Sequence, residues 1–256
     1  MNRLNPTVLT HKSCERQHKV IRLAGFCLGI LAGLALLTFT LLAGILWVSF
    51  DRSFYLEEFH KLDIPSATSM SQEELGKSVE ALLQYFDGKL PSPQIEVRLG
   101  GKVVPLYTQR ELLHLGDVAH LYAFSRTIIK GALFTFVGAV ALAATLARNK
   151  APCNVSWALG TCLLRAGGAS LALLGICAIG STVDFHGLFT LFHLASFAND
   201  LWLLDPTQHN LIRMFPEQFF LDAALRAGKA SALACALVTA LGYWLTRLNP
   251  PGRCSP

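Results

Sequence analysis

The feature that most constrains this chain is a run of 28 residues without a charged side chain, between Arg22 and Asp51. About 20 apolar residues cross a bilayer as a helix, so this run is a candidate membrane span. It is about twice as long as the apolar region of a signal peptide and no small-residue cleavage site follows it, so we expect it to remain as an anchor. Charged residues are 15% of the chain, against about 25% in soluble proteins, which argues against a soluble enzyme or a disordered chain.

Three further apolar stretches complete a set of four. The predicted transmembrane helices are 23–50, 127–147, 156–183 and 223–246. They leave a basic tail at 1–22, a loop at 148–155 and a tail at 247–256 on one side of the membrane. The larger segments 51–126 and 184–222 fall on the other side. The sequence therefore predicts an α-helical membrane protein, a four-transmembrane-helix bundle with a small extracellular α+β cap.

The distribution of charge predicts that both termini are cytoplasmic. In that orientation the cytoplasmic pieces, with the second loop counted to Arg165, carry ten basic and one acidic side chain, a net charge of +9. The outer pieces carry twelve basic and sixteen acidic side chains, a net charge of −4. Short cytoplasmic loops of membrane proteins are rich in Lys and Arg. The basic tail is expected to meet anionic membrane lipids, so nucleic acid is not an expected partner.

Cysteine usage agrees with this orientation. All seven cysteines lie in the predicted spans or cytoplasmic pieces, so no disulfide framework is expected outside.

The segment 51–126 carries the signals of a small folded cap. Ser71 followed by Glu74 has the spacing of a capping box, and apolar residues then recur at helical spacing. Gln94–Leu99 alternates polar and apolar residues, Gly100–Gly101 makes a two-residue turn, and Lys102–Thr108 returns. That alternation around a two-residue turn predicts a β-hairpin.

A second helix of the cap is expected to begin near Thr108, with Glu111 at the capping-box position. His114 then shares a helix face with Glu111 and Asp117, three residues before and after it, and with Arg110. An imidazole between two carboxylates could be a general base whose tautomer an acid fixes. The alternative is a solvated, salt-bridged helix face.

The segment 184–222 combines histidines with aromatic rings. His186 and His193 are seven residues apart, so they share a helix face with Phe189. Its aromatic residues fit an interfacial belt at the lipid headgroups, which is the preferred interpretation for most of them: Phe185, Phe189, Phe192, Phe197, Trp202, Phe215, Phe219 and Phe220. Its polar residues would be costly against lipid unless they are paired or hydrated: His193, Asn199, Asp200 and Asp205.

A membrane metal-dependent hydrolase is a second interpretation of the histidines. A composite zinc site would combine His114, His193 and a carboxylate. The zinc-protease motif HisGluXXHis is absent, and His114 and His120 fall on different faces of a helix. Nucleotide-binding motifs and the GlyXSerXGly esterase motif are also absent. The preferred prediction is therefore a site without a metal or a cofactor.

Three blocks of the chain resemble the bacterial lipoprotein intramolecular transacylases, the Lit family of multi-pass membrane proteins. The first, from Leu106, reads Leu-Tyr-Thr-Gln-Arg-Glu-Leu-Leu-His-Leu-Gly-Asp-Val. The second, which ends at Pro206, reads Phe-His-x-x-x-Phe-x-Asn-Asp-x-Trp-x-Leu-Asp-Pro, and the third is Leu-Ile-Arg-Met-Phe-Pro-Glu-Gln-Phe-Phe at 211–220. The order of one span, a cap and three spans is similar too. One departure is Leu115, where methionine is usual in the family.

The resemblance implies an acyl shift within one substrate, a lipoprotein whose N-terminal cysteine carries a diacylglyceryl thioether. The sn-2 acyl chain would move to the α-amino group of the cysteine and leave an N-acyl, lyso-form lipoprotein. The essential histidine pair of the family matches His114 and His193. An internal acyl donor is consistent with a chain that has no nucleotide motif.

On this interpretation His114 is the base and His193 stabilises the oxyanion or the leaving group, although the two roles could be exchanged. Substrate-contacting or orienting roles are predicted for Glu111, Asp117, Asn199 and Trp202. The alternative from another functional class is a non-enzymatic membrane adaptor or sensor with an extracellular ligand-binding cap. That alternative predicts that replacing the histidines leaves function intact.

Overall fold

The structure of the chain is a computed structural model that describes residues 6–99, 101–150 and 155–248. Gly100 of the predicted turn, and parts of the predicted cytoplasmic segments 1–22, 148–155 and 247–256, lie outside the described residues. The elements in chain order are α1 (Pro6–Ser49), α2 (Arg52–Lys61), α3 (Ile64–Thr68), α4 (Gln72–Phe86), β1 (Glu96–Leu99), β2 (Lys102–Pro105), α5 (Gln109–Lys150), α6 (Val155–Val183), α7 (Phe185–Ser196), α8 (Asn210–Met214) and α9 (Glu217–Leu248).

Four of the described helices are long and apolar enough to cross a membrane. The candidate segments are Leu23–Ser49, Gln109–Arg148, Val155–Val183 and Glu217–Leu248. The 42 residues of α5 would extend about 63 Å, roughly twice the thickness of a hydrocarbon core. Only part of α5 can therefore lie in the hydrocarbon. The predicted span 127–147 leaves the first turns of the helix, with His114, outside the membrane.

The described residues divide into two compact units, and the first comprises 6–40, 129–150, 155–175 and 231–248. Its buried cluster is made of small side chains: Ala32, Ala139, Ala143, Cys162 and Ala166. Small residues let membrane helices approach closely. Because α1 and α6 are close here, Ser170 Oγ on α6 donates a hydrogen bond of 2.9 Å to the Gly33 carbonyl on α1.

Gly167 is the sharpest case of this close packing. A Cβ added there would collide with the Thr239 hydroxyl and come within 2.9 Å of the Cys235 carbonyl oxygen, whereas nothing lies within 4 Å of a Cβ at Gly168. Gly167→Ala is therefore expected to destabilise the protein by about 1–3 kcal/mol through overpacking. Gly168→Ala is the matched control and should leave the melting temperature in detergent unchanged or slightly higher. Equal melting temperatures for the two variants would contradict this packing.

The second unit comprises residues 41–128 and 176–230 and contains the predicted cap. Its core is rich in rings that contact one another with centroids 5.1–6.4 Å apart: Phe54, Tyr55, Phe59, Phe215 and Phe219. The interfacial belt was the wrong prediction for Phe215 and Phe219, which are 8% and 5% exposed. They lie in the cap core because Phe215, just after α8, and Phe219, on α9, pack against the rings of α2.

Local signals of the cap are confirmed. Ser71 Oγ accepts a hydrogen bond from the Glu74 N–H, and the Glu74 carboxylate accepts one from the Ser71 N–H, which completes the predicted capping box of α4. The strands β1 and β2 pair antiparallel with Leu99 opposite Lys102. Gly101 has a φ of +83°, a left-handed conformation that a tight hairpin turn needs and that glycine adopts without a steric cost.

Candidate active site

His193 lies in the last turn of α7, a helix of 12 residues that begins where the Asp184 carboxylate accepts a hydrogen bond from the Gly187 N–H. At about 18 Å this helix is too short to cross a membrane. His193 Nδ1 is 2.8 Å from the carbonyl oxygen of Phe189, four residues earlier. A carbonyl oxygen only accepts hydrogen bonds, so Nδ1 carries the hydrogen and the lone pair is on Nε2.

Aromatic side chains enclose the His193 ring. The ring centroids of Phe189, Trp202 and Phe192 lie 4.4, 4.8 and 5.3 Å from that of His193, and only 8% of His193 is exposed. Burial lowers the pKa of His193 below its ordinary value, while the hydrogen bond to Phe189 acts in the opposite direction. The imidazole is therefore neutral at pH 7 and its tautomer is fixed.

His114 lies on α5, and its ring faces that of His193. The two centroids are 6.2 Å apart with 29° between the ring planes. The two histidines are therefore close enough to contact the same substrate headgroup. The Phe197 ring packs edge-on against His114 at 5.2 Å. Burial, helped by the neighbouring His193, lowers the pKa of His114 to about 4. Its Nδ1 is buried without a hydrogen-bond partner in the described part of the chain.

Glu111, which the sequence predicts as an orienting partner of His114, forms its hydrogen bonds with backbone N–H groups rather than with that ring. Its carboxylate is fully buried and accepts hydrogen bonds of 2.6 Å from the N–H of Thr108 and the N–H of Leu211. The first bond caps α5, as the sequence spacing predicts. The second holds the start of α8, 100 residues away, against the beginning of α5. Glu111 is thus a structural link between the starts of α5 and α8.

Asp117 and Asn199 are in contact with each other. Asp117 Oδ2 accepts a hydrogen bond of 2.9 Å from Asn199 Nδ2. Sequence reasoning expected Asn199 beside His193 and Asp117 as an orienting partner of His114. Asp117 lies one helical turn after His114, and its charge raises the pKa of the imidazole through space, against the larger effect of burial.

Three further polar residues of the segment 184–222 are paired as well: Asp200, Asp205 and His186. Arg110 donates to the Asp200 backbone carbonyl and lies 3.7 Å from the Asp200 carboxylate. Asp205 accepts hydrogen bonds from the Thr207 N–H and hydroxyl. His186, by contrast with His193, is exposed and contacts Glu217, 2.9 Å away. These contacts satisfy polar groups that would be costly if left alone near lipid.

Two contributors to the site were missed by sequence reasoning. The Phe189 carbonyl fixes the His193 tautomer, and Phe197 contacts both histidine rings, at 5.2 and 5.7 Å. A signal for the carbonyl was present, since a polar side chain on a helix can donate to the backbone carbonyl four residues earlier. Within the residues that the structure describes, no three His, Cys, Asp or Glu side chains are grouped closely enough to hold a metal ion.

The comparisons with known proteins point to one family. The sequence model of the family named lipoprotein intramolecular transacylase Lit matches residues 30–220, about three quarters of the chain. No curated protein gives a significant match.

The same fold occurs in solved structures of the membrane integral lipoprotein intramolecular transacylase Lit from Bacillus cereus. One is 19% identical, with a TM-score of 0.68 over 90% of this chain and 98% of that chain. A variant of it in which a histidine is replaced by arginine is 18% identical, with a TM-score of 0.67 over 93% and 97% of the two chains. Because the family model spans well over half of its sequence, this chain belongs to the lipoprotein intramolecular transacylase (Lit) family.

Proposed function

We propose that this protein moves the sn-2 acyl chain of a diacylglyceryl-modified lipoprotein to the α-amino group of the same N-terminal cysteine. The product is an N-acyl, lyso-form lipoprotein. The observation that carries the proposal is the pair of neutral, buried histidine rings with centroids 6.2 Å apart, in a chain of this family. Amine and ester belong to one molecule, so a cleft that holds both replaces a bimolecular encounter with an oriented one.

His193 is the better candidate for the general base, which exchanges the two roles that the sequence favoured. The attacking amine must lose a proton as the amide forms, and a base needs a free lone pair within reach. The bond from His193 Nδ1 to the Phe189 carbonyl leaves that lone pair on Nε2. The same carbonyl stabilises the imidazolium once Nε2 has taken the proton, because Nδ1–H is then a charge-assisted donor.

His114 is assigned to the ester side of the reaction. With a pKa of about 4 it stays neutral at pH 7 and offers one N–H to the oxyanion that develops on the ester carbonyl. Collapse of the tetrahedral intermediate breaks the bond from the carbonyl carbon to the sn-2 oxygen. The proton taken from the amine passes to that oxygen, so one amide and one hydroxyl replace one ester and one amine.

The site is proposed to face the outer side of the membrane, with both termini cytoplasmic, on the support of the +9 to −4 division of charge. In that orientation the histidines meet lipoproteins displayed on the outer leaflet. Reporter fusions that fluoresce or hydrolyse substrate only outside the cytoplasm should be active at Gly100 and inactive at Asn149. The reverse pattern would place the histidines on the wrong side for this substrate.

Mass spectrometry of a lipoprotein N-terminus tests the proposed function. The protein is expressed in a host that makes only diacylglyceryl lipoproteins with free amino termini, beside the same host without it. We expect conversion to an N-acylated lyso form that still carries two acyl chains. Three chains would mean an external donor, and a lyso form with a free amine would mean hydrolysis; either result overturns the proposal.

A further inference from the structure

Asp117 is a carboxylate beside the histidine pair for which no cationic partner is found within the described ranges. It follows His114 by one turn of α5, where residues three apart are neighbours on the helix surface. Its hydrogen-bond partner, Asn199, is a neutral amide. Asp117 is half-buried and its contact with Asn199 is exposed, so the carboxylate is accessible to a positive group from outside the chain.

The side chain of Asn199 holds Asp117 in place. Asn199 Oδ1 accepts a hydrogen bond of 3.1 Å from the Leu201 N–H, so its amide NH₂ group must point at the carboxylate. Arg110, two turns before Asp117 on α5, is engaged with Asp200. Asp117 is therefore positioned by the protein and left electrostatically uncompensated.

A cleft of about 350 Å³ opens at Asp117. Its polar lining includes Asp117, His120 and Asn199, and its apolar lining includes Leu121, Phe124 and Phe197. Phe197 is also the ring that contacts both catalytic candidates. The cleft and the histidine pair thus share a wall, and a small group held at Asp117 lies next to the site of acyl transfer.

We propose that Asp117 binds the α-ammonium group of the substrate's N-terminal cysteine in this cleft; the proposal rests on the transacylase function proposed above. An α-amino group with a pKa of about 7.7–8.0 arrives mostly protonated at pH 7. The carboxylate attracts that cation, and one proton then leaves for water. The neutral amine stays hydrogen-bonded to Asp117 and attacks the ester, giving its next proton to the base.

This role has a signature in the kinetics. The carboxylate stabilises the ammonium form, so it raises the pKa of the amine in the complex. Asp117→Asn removes the charge and keeps a similar shape, so KM for the amino substrate should rise about tenfold, the equivalent of one charge-assisted hydrogen bond. The acid limb of kcat should move to lower pH. The other titratable or charged groups on α5 and on the segment that contacts it near Asp117 include His114, His120, His193, Asp200 and Arg110, and none of them is replaced in this variant.

The experiment uses the full-length protein in detergent and a synthetic diacylglyceryl lipopeptide with a free α-amino group. A second lipopeptide, with a hydroxyl in place of that amino group, serves as a competing ligand that carries no positive charge. We expect the wild type to bind the amino lipopeptide more tightly at pH 6, and Asp117→Asn to lose most of that preference while binding the hydroxyl lipopeptide normally. Asp117→Glu should restore part of it. Glu73→Gln removes one carboxylate from the exposed pair with Lys77 and should change nothing.

The outcomes separate this proposal from the proposed function. If Asp117→Asn lowers kcat without a change in KM or in the pH limb, Asp117 acts through His114 and the binding role is wrong. If the wild type fails to convert the amino lipopeptide to its N-acyl lyso form, the proposed function fails instead. Should Asp117→Asn not accumulate, the wild type still tests the proposal, because a preference for the amino lipopeptide that does not weaken between pH 6 and pH 9 would overturn it.

Discussion

Replacing His193 with asparagine is expected to slow acyl transfer by about 10²–10⁴-fold, the usual contribution of a positioned general base. Asparagine keeps some hydrogen bonding and a similar size but has no nitrogen that takes up a proton. The measurement is the rate at which the purified variant converts a diacylglyceryl lipopeptide. His114→Ala should also be slow, because it removes an N–H directed at the developing oxyanion, which is worth about 10²–10³-fold.

The control for these variants is His60→Asn, on the exposed surface of α2, which should be fully active. Both site variants should accumulate in membranes at wild-type levels. If both convert the substrate at wild-type rates, the proton-transfer mechanism is wrong and the adaptor or sensor interpretation moves ahead of it.

The pH dependence of the reaction follows from the same two rings. Both histidines have lowered pKa values, so both are already neutral above about pH 6.5, the ordinary histidine value. The acid limb of kcat/KM should therefore follow the substrate amine, with a pKa of about 7.7–8.0. The effect of pH on the free energy of unfolding is opposite in sign to that of a histidine paired with a carboxylate, because the pKa values here are lowered by folding. Below about pH 6.5 the histidines of the unfolded chain bind protons that those of the folded chain do not bind. The free energy of unfolding should therefore decrease as the pH is lowered from about 6.5 towards 4.

Replacing Glu111 with alanine is expected to be the most destabilising single change in the cap. It leaves the backbone N–H groups of Thr108 and Leu211 without the acceptor that each now contacts at 2.6 Å. Each unsatisfied buried group costs about 1–3 kcal/mol, so the loss should reach about 3–5 kcal/mol. We expect the melting temperature in detergent to drop by about 10 °C or more.

Two variants calibrate this result. Glu111→Gln keeps the volume and one acceptor oxygen, so it should lose less than alanine does. Glu73→Ala removes a carboxylate that is 77% exposed and should change stability by less than about 0.5 kcal/mol. If Glu111→Ala has the melting temperature of the wild type and loses only activity, the structural link is not the main role of Glu111. In that case Glu111 acts on the chemistry directly, as the sequence suggests.

Several features could be predicted because they depend on residues close together in the sequence. The charge-free run at 23–50 and the other apolar runs indicate membrane helices, since only a helix satisfies its own backbone in lipid. The capping box at Ser71 and Glu74 and the hairpin around Gly101 are local hydrogen-bond patterns of the same kind. The family was visible from the blocks that contain His114 and His193, because each block is short and contiguous.

The partners of the site residues could not be predicted in this way. Helical spacing puts Glu111 beside His114, but the buried carboxylate forms its bond with the N–H of Leu211, 100 residues later. Asn199 binds Asp117 across 82 residues. The spacing of residues on one helix shows which side chains lie on the same face. It carries no information on which distant segment packs against that face.

The sequence alone therefore determined the four apolar helices and the cap elements, and it singled out His114 and His193 as the candidate pair, because periodicity, capping and motif are properties of neighbouring residues. Only the tertiary structure decided that His193 carries its hydrogen on Nδ1, that Glu111 links segments of the cap, and that Phe215 and Phe219 are in its core rather than at the lipid headgroups. Those outcomes depend on which distant segments bury one another's surfaces. A buried polar group takes whatever partner the fold brings within hydrogen-bond distance.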